Sequence, residues 1–276
     1  MLKQRLITAA ILIPLVTWAI FTLPSSTITI VFAVLALIGA WEWGAMIKLR
    51  SVATRLAYVG AVGAIIFALS LLAPASTLAA TIILVLAVFW WCLSMLLIHR
   101  YRGETELGSA DTALGALAGT IVIVPWWLAM SHLHSFGEQG PWWVFFLILL
   151  TAVADSGAYF SGRRWGKHKL APNVSPGKTI EGVAGALVAT LILALVGGLM
   201  FDLTTSELLW FIPLCLITVA ISVVGDLLES LFKRRAGLKD SGHILPGHGG
   251  ILDRIDSHTA AAPLFALGLM LLGLTQ

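Results

Sequence analysis

The sequence has few charged residues, and this scarcity excludes a soluble globular protein. Asp, Glu, Lys and Arg make up only 11% of the 276 residues, whereas 59% of the residues are hydrophobic. A globule of this size needs more charged side chains to cover its surface in water. Cysteine is also scarce, and Cys92 and Cys215 both lie in apolar runs. We expect them to be packing residues and not a disulfide or metal pair.

Long continuous apolar runs take the place of the missing charge, and they predict transmembrane helices. A helix needs roughly 20 apolar residues to cross the hydrocarbon core of a bilayer. Nine segments are suitable, at about 6–24, 27–45, 56–73, 77–98, 112–131, 142–162, 179–200, 208–231 and 258–275. The sequence therefore predicts an all-α, polytopic integral membrane protein that forms one membrane domain over residues 1–276.

The basic residues occur only in alternate connections between these segments. All 17 Lys and Arg lie at the N-terminus or in the second, fourth, sixth and eighth connections. Because positive residues favour the cytoplasmic side, this alternation predicts about nine spans with a cytoplasmic N-terminus. The pair His132 and His134 falls in a connection on the opposite side, where we expect both side chains to be solvated.

Among the acidic residues within the predicted spans, those singled out as candidates lie near the cytoplasmic ends: Asp155, Glu181, Asp226 and Glu229. Acidic side chains inside spans are costly and are usually functional. Asp226 and Glu229 are three residues apart, so they share one face of their helix. The alternative is that each carboxylate only neutralises a nearby Lys or Arg.

The sixth connection ends in the residues NVSPGKT (173–179), which lead into the seventh span. The hydroxyl groups of Ser175 and Thr179 can cap the start of that helix, and the free N–H groups there favour an anion. Lys178 adds a positive charge, so the segment is a candidate phosphate site. It is not a P-loop, because the pattern GxxxxGK[ST] is absent. A capped turn with a Lys reaching to the membrane surface is the alternative.

Much of the polar chemistry is concentrated in the segment KRRAGLKDSGHILPGHGGILDRIDS (233–257). Its cations, which include Lys233, Arg234 and Lys239, are suited to phosphate oxygens. Asp253 and Asp256, together with Asp226, supply the oxygen ligands that Mg²⁺ prefers. Metal ions and cationic side chains together are typical of displacement at phosphorus. An ordinary cytoplasmic loop would explain the cations but not the acids, the glycines or His248.

The same segment resembles the signature of the phosphatidate cytidylyltransferases, or CDP-diacylglycerol synthases. The matching positions are Ser230, Phe232, Lys233, Arg234, Lys239, Asp240, Gly242, Leu245, Pro246, His248, Gly249, Gly250, Asp253, Arg254 and Asp256. Three upstream blocks also resemble the family: DSGAY (155–159), SPGKTIEG (175–182) and GDLLES (225–230). The resemblance covers roughly the C-terminal half of the chain.

This resemblance implies the conversion of CTP and phosphatidic acid to CDP-diacylglycerol and pyrophosphate, with Mg²⁺ alone or with a second cation. The hypothesis for the site has three parts. Catalytic roles are expected for Asp226, Lys239, Asp253 and Asp256, and metal binding for Asp226, Asp253 and Asp256. Substrate binding is expected for Ser175, Lys178, Glu181, Lys233, Arg234, His248, Gly249, Gly250 and Arg254.

The resemblance also gives a predicted organisation and setting. Residues 142–276 would carry the active site, and residues 1–131 would form a scaffold with room for oligomer contacts. The expected location is the inner plasma membrane, among membrane lipids, with the site facing the cytoplasm. Nucleic acid is not an expected partner. The small residues of GVAGALVAT (182–190) allow close helix packing and are compatible with a homodimer.

Two rival functions are compatible with parts of the sequence. The first is another lipid head-group enzyme. A CDP-alcohol phosphatidyltransferase would carry a DGxxAR…GxxxDxxxD run, which is absent, and a polyprenol kinase would use ATP instead of CTP. The second is a transporter or scaffold, which would need charges near the middle of the membrane or on both sides of it.

Overall fold

Nine α-helices and one short β-hairpin make up the part of the chain that the computed structural model describes, which is residues 2–72, 77–101, 103 and 109–275. The helices are α1 (Leu2–Thr22), α2 (Ser25–Met46), α3 (Val52–Leu72), α4 (Thr77–Arg100), α5 (Ser109–His134), α6 (Gly140–Trp165), α7 (Ile180–Met200), α8 (Thr205–Ala236) and α9 (Leu252–Leu271). A 3₁₀ turn at Gly137–Gln139 precedes α6, and the antiparallel strands β1 (Lys169–Ala171) and β2 (Ser175–Thr179) join α6 to α7.

Seven of these helices, α2 to α8, are long and apolar enough to cross a membrane. Large apolar side chains such as Phe89 and Leu199 are more than half exposed on their outer faces, where lipid and not water suits them. The predicted all-α membrane fold is thereby confirmed. In α1 the apolar run is shorter, Ile7–Thr22, and α9 opens with a charged turn. The number of spans and the side of the N-terminus stay predictions.

One end of the bundle is closed by an aromatic cluster. Trp143 at the start of α6 stacks on Phe201, which follows α7, with 3.6 Å between the ring centroids. Phe211 near the start of α8 and Phe265 near the end of α9 both contact Trp143. Because all four come from one end of their helices, the opposite ends of α6 to α9 are left to carry polar groups.

His134 belongs to the structure of this aromatic end, and the expectation that it is solvated is wrong. Its side chain is buried, at 3% exposure. One ring nitrogen lies 3.0 Å from the Ser25 hydroxyl, and the other lies 2.8 Å from the carbonyl oxygen of Ile20. The ring therefore ties α5 to the junction of α1 and α2. The sequence pattern could not show this, because a turn between two helices looks the same whether or not a third helix covers it.

The connections that carry basic residues meet at the other end of the bundle. Arg235 at the end of α8 pairs with Asp111 at the start of α5, at 3.3 Å, and the Thr8 hydroxyl of α1 donates to the carbonyl oxygen of Pro246 at 3.1 Å. These contacts are compatible with the predicted alternation. Of the other predicted basic positions, Arg102 lies outside the described residues, as do the side chains of Lys3 and Arg5.

Small residues let α6 and α7 approach closely. A Cβ at Gly157 would lie 2.8 Å from the carbonyl oxygen of Gly185, and a Cβ at Gly185 would overlap the side chain of Ser161. The close approach of small residues is a usual basis of helix association in membranes. The small residues of segment 182–190 thus serve packing within the chain at Gly182 and Gly185. The predicted homodimer is left without support from these two positions.

The β-hairpin between α6 and α7 is a feature that the sequence analysis did not predict. Lys169 pairs with Thr179, and Ala171 pairs with Ser175. Thr179 caps α7 as expected, because its hydroxyl accepts a hydrogen bond from the Gly182 N–H at 3.1 Å. Ser175 lies at the beginning of β2, too far from the helix to cap it, so that part of the prediction is wrong. The hairpin holds Lys178 over the end of α8.

Candidate active site

The candidate site lies where the polar ends of α6, α8 and α9 meet β2 and the start of α7. The long connection between α8 and α9, residues 237–251, covers this region and is called the glycine loop below. It carries the positive-φ residues Gly237, Gly247 and Gly249. Gly237 ends α8 in the left-handed conformation, with its N–H bonded to the carbonyl oxygen of Arg234, and this turns the chain back toward α9.

The central contact of the site is an ion pair between Lys178 on β2 and Asp226 on α8. Their charged atoms are 2.7 Å apart, and each side chain is about a quarter exposed, at 26% and 28%. The Ser230 hydroxyl, one turn along α8, also donates to Asp226 at 3.2 Å. Two further carboxylates, Asp155 on α6 and Asp256 on α9, are close enough to repel Asp226 electrostatically. Three acids therefore lie near Lys178, and the charges of Lys233 and Arg254 also act on members of this group.

Close packing between α8 and α9 brings the two acidic helices together. A Cβ at Gly225 would lie 2.6 Å from the carbonyl oxygen of Asp256, so a glycine is needed beside Asp226. Of the predicted metal ligands, Asp226 and Asp256 are thus brought to one place. Asp155, whose role the sequence left between catalysis and simple neutralisation, joins them from α6.

A second charge cluster lies deeper between α8 and α9. Lys233 is buried, and its ammonium group lies 2.7 Å from Asp253 and 3.1 Å from Glu229. Glu229 is also buried, at 3% exposure. Lys233, a predicted substrate ligand, is therefore already neutralised by two carboxylates within the chain.

Asp253 connects this cluster to the glycine loop. One carboxylate oxygen accepts from Lys233, and the other accepts from the N–H groups of Ser241 and Gly250, each at 2.9 Å. Asp253 lies in the charged first turn of α9, before its apolar part. Burial alone would raise the pKa of Asp253, but the Lys233 ammonium and the two loop N–H groups outweigh it and lower the pKa below its usual value. The carboxylate is therefore ionised, and both of its oxygens have partners.

Residues Pro246–Gly250 form a tight turn. Leu245 and Gly249 form an isolated antiparallel bridge, with the Leu245 N–H donating to the Gly249 oxygen at 2.9 Å. The His248 N–H donates to the Leu245 carbonyl oxygen at 2.9 Å and closes the turn. His248 is half-buried, with its imidazole 3.5 Å from the Pro246 oxygen. The turn presents backbone and imidazole groups at the rim of the site.

Three predicted cationic ligands are open to solvent. Arg234, Lys239 and Arg254 are exposed. Arg234 donates to the carbonyl oxygen of Val174 in the hairpin at 3.4 Å. Within the described part of the chain, the side chains of Lys239 and Arg254 form no ion pair. These three side chains can therefore turn toward an anion without breaking an ion pair.

Glu181 is held at the other side of the hairpin. Its carboxylate accepts from the Lys167 N–H at 3.0 Å, from the His168 N–H at 3.2 Å, and lies 2.6 Å from the His168 ring. These contacts fix the end of α6 and the start of the hairpin against α7. The predicted substrate ligand Glu181 is thus engaged in shaping the connection that carries Lys178.

Two cavities lie in this region, and Lys178 lines the first of them. The first, of about 360 Å³, has the charged residues Asp155, Arg163 and Lys178 in its wall, together with a few hydroxyl groups and apolar groups such as Ala154 and Ala186. The second, of about 530 Å³, lies between α4, α8 and the hairpin and is mostly apolar. Both cavities have Val183 and Val223 in their walls. A charged head with apolar walls behind it is the shape that an anionic lipid needs.

The sequence analysis missed one residue of this region, Glu42 on α2. Its buried carboxylate accepts a hydrogen bond from the Ser241 hydroxyl and from the N–H groups of Ile251 and Leu252. The signal available in the sequence was a single acid within an apolar span, in the segment GAWEWGAM (39–46). That signal is the same as the one that drew attention to Asp155 and Asp226.

The fit of the acids to a divalent cation can be judged from the side chains themselves. Among the residues that the structure describes, no three His, Cys, Asp or Glu side chains form a preformed metal cage. Mg²⁺ does not need one, since it is commonly held by one or two carboxylates together with substrate phosphates and water. Asp226 and Asp256 meet that requirement, because close packing at Gly225 brings their helices together and the two carboxylates interact electrostatically.

The chain matches the sequence model of one protein family along nearly its whole length. The family is described as the Cytidylyltransferase family, and the match spans residues 3–272. It includes α2 with Glu42 as well as the C-terminal helices that carry the predicted site. The likeness thus extends through the N-terminal helices, where the sequence analysis found only apolar segments.

Curated bacterial proteins named phosphatidate cytidylyltransferase are similar to this chain. The protein from Haemophilus influenzae is 39% identical, over 96% of this chain and 98% of its own length. The protein from Pseudomonas aeruginosa is also 39% identical, over 96% of each chain. The protein from Bacillus subtilis is 44% identical over 135 residues, about half of each chain. Two of these relatives therefore align with this chain almost from end to end.

Proposed function

This chain belongs to the cytidylyltransferase family, and we propose that it transfers the cytidylyl group of CTP to phosphatidate, giving CDP-diacylglycerol and pyrophosphate. Relatives that carry the name phosphatidate cytidylyltransferase align with it over nearly its whole length. The family makes it a nucleotidyltransferase, and its apolar helices make it an integral membrane protein. The reaction joins a water-soluble triphosphate to a membrane lipid.

The observation that carries the proposal is the Lys178–Asp226 pair at the head of an apolar-walled cavity. Lys178 lines this cavity with Asp155 and Arg163, and apolar residues form much of the remaining wall. Phosphatidate has a phosphate head on two acyl chains, so it can place its phosphate at Lys178 and its glycerol end against the apolar wall. A soluble phosphate ester has no acyl chains and would gain no binding energy from that apolar wall.

The reaction needs no covalent enzyme intermediate. An oxygen of the ionised phosphatidate attacks the α-phosphorus of CTP, and the bond from the α-phosphorus to the bridging oxygen of the β-phosphate breaks. Pyrophosphate leaves with that electron pair. Because nucleophile and acceptor are both anions, they repel each other unless charge is neutralised around them. Positioning and neutralisation are therefore the main contributions of the protein.

The basic residues divide between the two anions. We assign Lys178 to the lipid phosphate, because it lines the cavity. We assign Lys239, Arg254 and Arg234 to the phosphates of CTP, because they are exposed beside the glycine loop. The remaining predicted contacts belong with the nucleotide: His248, Gly249 and Gly250 of the turn would line its pocket, and Ser175 at the start of β2 would orient a phosphate.

Asp226 and Asp256 are the residues that we propose to hold Mg²⁺, with a second cation as an option. When bound, the metal would offset negative charge on the triphosphate. Lys233 and two N–H groups of the loop already occupy most of the acceptor sites of Asp253, so we assign it chiefly to fixing the loop. Lys233 and Glu181 are likewise bound to other groups of the chain. We propose that they affect the substrates only by holding neighbouring segments in position.

The setting that we propose is the inner plasma membrane, with the site on the cytoplasmic side. Support comes from the basic connections, which meet at the end of the bundle that carries the site and which favour the cytoplasmic face. CTP is a cytoplasmic nucleotide, so this orientation gives it direct access. A homodimer remains an open proposal, carried by the exposed apolar faces of the bundle alone.

The test of the proposal is a turnover assay on purified protein in detergent, with phosphatidate, Mg²⁺ and labelled CTP or ATP. We expect labelled lipid from CTP only, and none after chelation of the metal. Asp226→Asn should lower turnover by about 100-fold or more, as removal of a charged group at a reacting phosphate does, and it should still fold. Equal use of ATP, or full turnover by Asp226→Asn, would contradict the proposal.

A further inference from the structure

Glu42 is a buried acid on α2, far along the chain from the residues of the proposed reaction. Its carboxylate accepts from the Ile251 N–H at 3.0 Å, from the Leu252 N–H at 2.8 Å and from the Ser241 hydroxyl at 3.1 Å. Ile251 and Leu252 begin α9, whereas Ser241 lies near the start of the glycine loop. One side chain of the N-terminal half therefore holds both ends of the loop.

The charge of Glu42 is compensated by hydrogen bonds and not by a cation. Among the described residues it has no ion-pair partner, and its side chain is 3% exposed. A buried carboxylate is costly unless it is hydrogen-bonded. The N-terminus of a helix supplies free N–H groups and a favourable dipole for a negative charge. Glu42 and the start of α9 consequently stabilise each other.

Two glycines of the loop are needed to make room for Glu42. A Cβ at Gly242 or at Gly250 would overlap the Glu42 carboxylate. Neither residue has a positive φ, so backbone conformation does not require glycine at these positions. The close approach to Glu42 gives a physical reason for both glycines. The loop backbone therefore packs directly against this side chain.

Asp253 holds the same loop from the other side. It accepts from the N–H groups of Ser241 and Gly250, so Ser241 is bonded to Glu42 through its hydroxyl and to Asp253 through its N–H. The segment between these anchors contains His248 and Gly249. Lys239 lies two residues before Ser241, and Asp256 lies one turn after Leu252.

We propose that Glu42 is a positioning residue for the nucleotide side of the reaction, and that α2 is thereby part of the active-site structure. It does not touch a substrate. It fixes the glycine loop relative to α9, so that the polar groups of the loop and Asp256 are positioned to contact the same phosphates. The kinetic consequence rests on the proposed function, whereas the effect on the loop does not.

The experiment compares the wild type with Glu42→Gln, Ser241→Ala and the control Glu207→Gln. Glu207 also accepts from a helix N-terminus, that of α8, through a capping box with Thr204, but it is only partly buried and takes no part in the glycine loop. Glu42→Gln keeps the size of the side chain but replaces one acceptor oxygen by a donor. Ser241→Ala removes one hydrogen bond and serves if Glu42→Gln does not fold.

We expect Glu42→Gln to lower kcat/KM for CTP by roughly 10–100-fold, the range seen when a partner that orients a site residue is lost. The KM for phosphatidate should stay near the wild-type value, because Lys178 lies on the hairpin and not on the loop. Ser241→Ala should change the same constants in the same direction and by less. Glu207→Gln should match the wild type in all of them.

Hydrogen exchange of the substrate-free protein provides a readout that does not depend on the reaction. The amides of residues 241–252 should exchange faster in Glu42→Gln than in Glu207→Gln. Unchanged exchange and kinetics in Glu42→Gln would overturn the inference. A lower melting temperature with wild-type kinetics would also overturn it, because the role would then be structural only. If the wild type fails to turn over CTP but the exchange difference is present, the proposed function fails and the positioning of the loop stands.

Discussion

Among the cations of the connection between α6 and α7, Lys178 has the most distinctive surroundings. It is paired with Asp226 and lines the first cavity, whereas Lys167 of the same connection is exposed. A lysine that only contributes to the positive charge of the cytoplasmic side does not require an ion-pair partner on another helix. The ion pair therefore distinguishes a site residue from an ordinary positive residue.

Replacement of these two lysines tests the distinction. Lys178→Gln should raise the KM for phosphatidate by between about 10- and 100-fold, since a hydrogen bond between two charged groups is lost. Lys167→Gln removes the same charge from the same connection and should leave the KM unchanged. Initial rates with varied phosphatidate in mixed micelles measure both constants. Equal effects of the two substitutions would mean that only the overall positive charge matters.

At the scale of single residues, the sequence predicted the types of group in the site but not their pairing. Asp226, Asp256 and Lys178 could be found because charges in or beside apolar spans stand out. The burial of Lys233 between Glu229 and Asp253 could not, because it depends on how α8 and α9 pack. Glu42 carries the same signal of an acid in an apolar span, but nothing in the sequence links it to the site, because its partners lie about 200 residues away along the chain.

The helix pair α6–α7 shows how an element supports the site. Asp155 lies in the C-terminal half of α6, and Lys178 lies two residues before α7, so their separation depends on how closely the two helices approach. Gly157 lies in the contact, whereas Gly60 lies on α3 with no other group within 4 Å of a Cβ at that position. Both glycines lie in helices, but Gly157 is closely packed and Gly60 is not.

This contrast gives a matched pair of substitutions. Gly157→Ala should destabilise the protein by about 1–3 kcal/mol, because the new methyl group would press on the backbone of α7. Gly60→Ala should be neutral or stabilising by up to about 1 kcal/mol, because alanine favours a helix. Thermal unfolding in one detergent compares them. A stabilised Gly157→Ala variant would show that α6 and α7 are further apart than described.

At the scale of elements, apolar length predicted where the helices lie, and most of the observed bounds agree within a few residues. The prediction works because a membrane helix satisfies its own backbone hydrogen bonds, so length and apolarity are enough. The hairpin at 169–179 was not predicted, since its strands are too short for a periodic pattern. Its second strand packs against α7 and α8 instead.

The whole molecule has two unlike ends, one aromatic and one charged. The aromatic cluster of Trp143 and Phe201 closes the end opposite Lys178 and Asp226. With nine spans, such a molecule would have its N-terminus on the charged side and its C-terminus on the other. The sequence predicts that the charged side is the cytoplasmic one.

Reporter fusions to the two termini test this topology. A reporter that is active only in the cytoplasm should work at the N-terminus, and one that is active only outside should work at the C-terminus. The same reporters exchanged between the termini should be silent. Both termini on one face would mean an even number of spans and would separate some basic connections from the site.

The central claim is that a lipid oxygen attacks the α-phosphorus of CTP, and the fate of two labels tests it most directly. Purified protein would be given phosphatidate, Mg²⁺ and CTP labelled in either the α- or the γ-phosphate. We predict that the α-label enters the lipid and that the γ-label is released as pyrophosphate. Entry of the γ-label into the lipid would show phosphoryl transfer, as by a kinase, and would contradict the account.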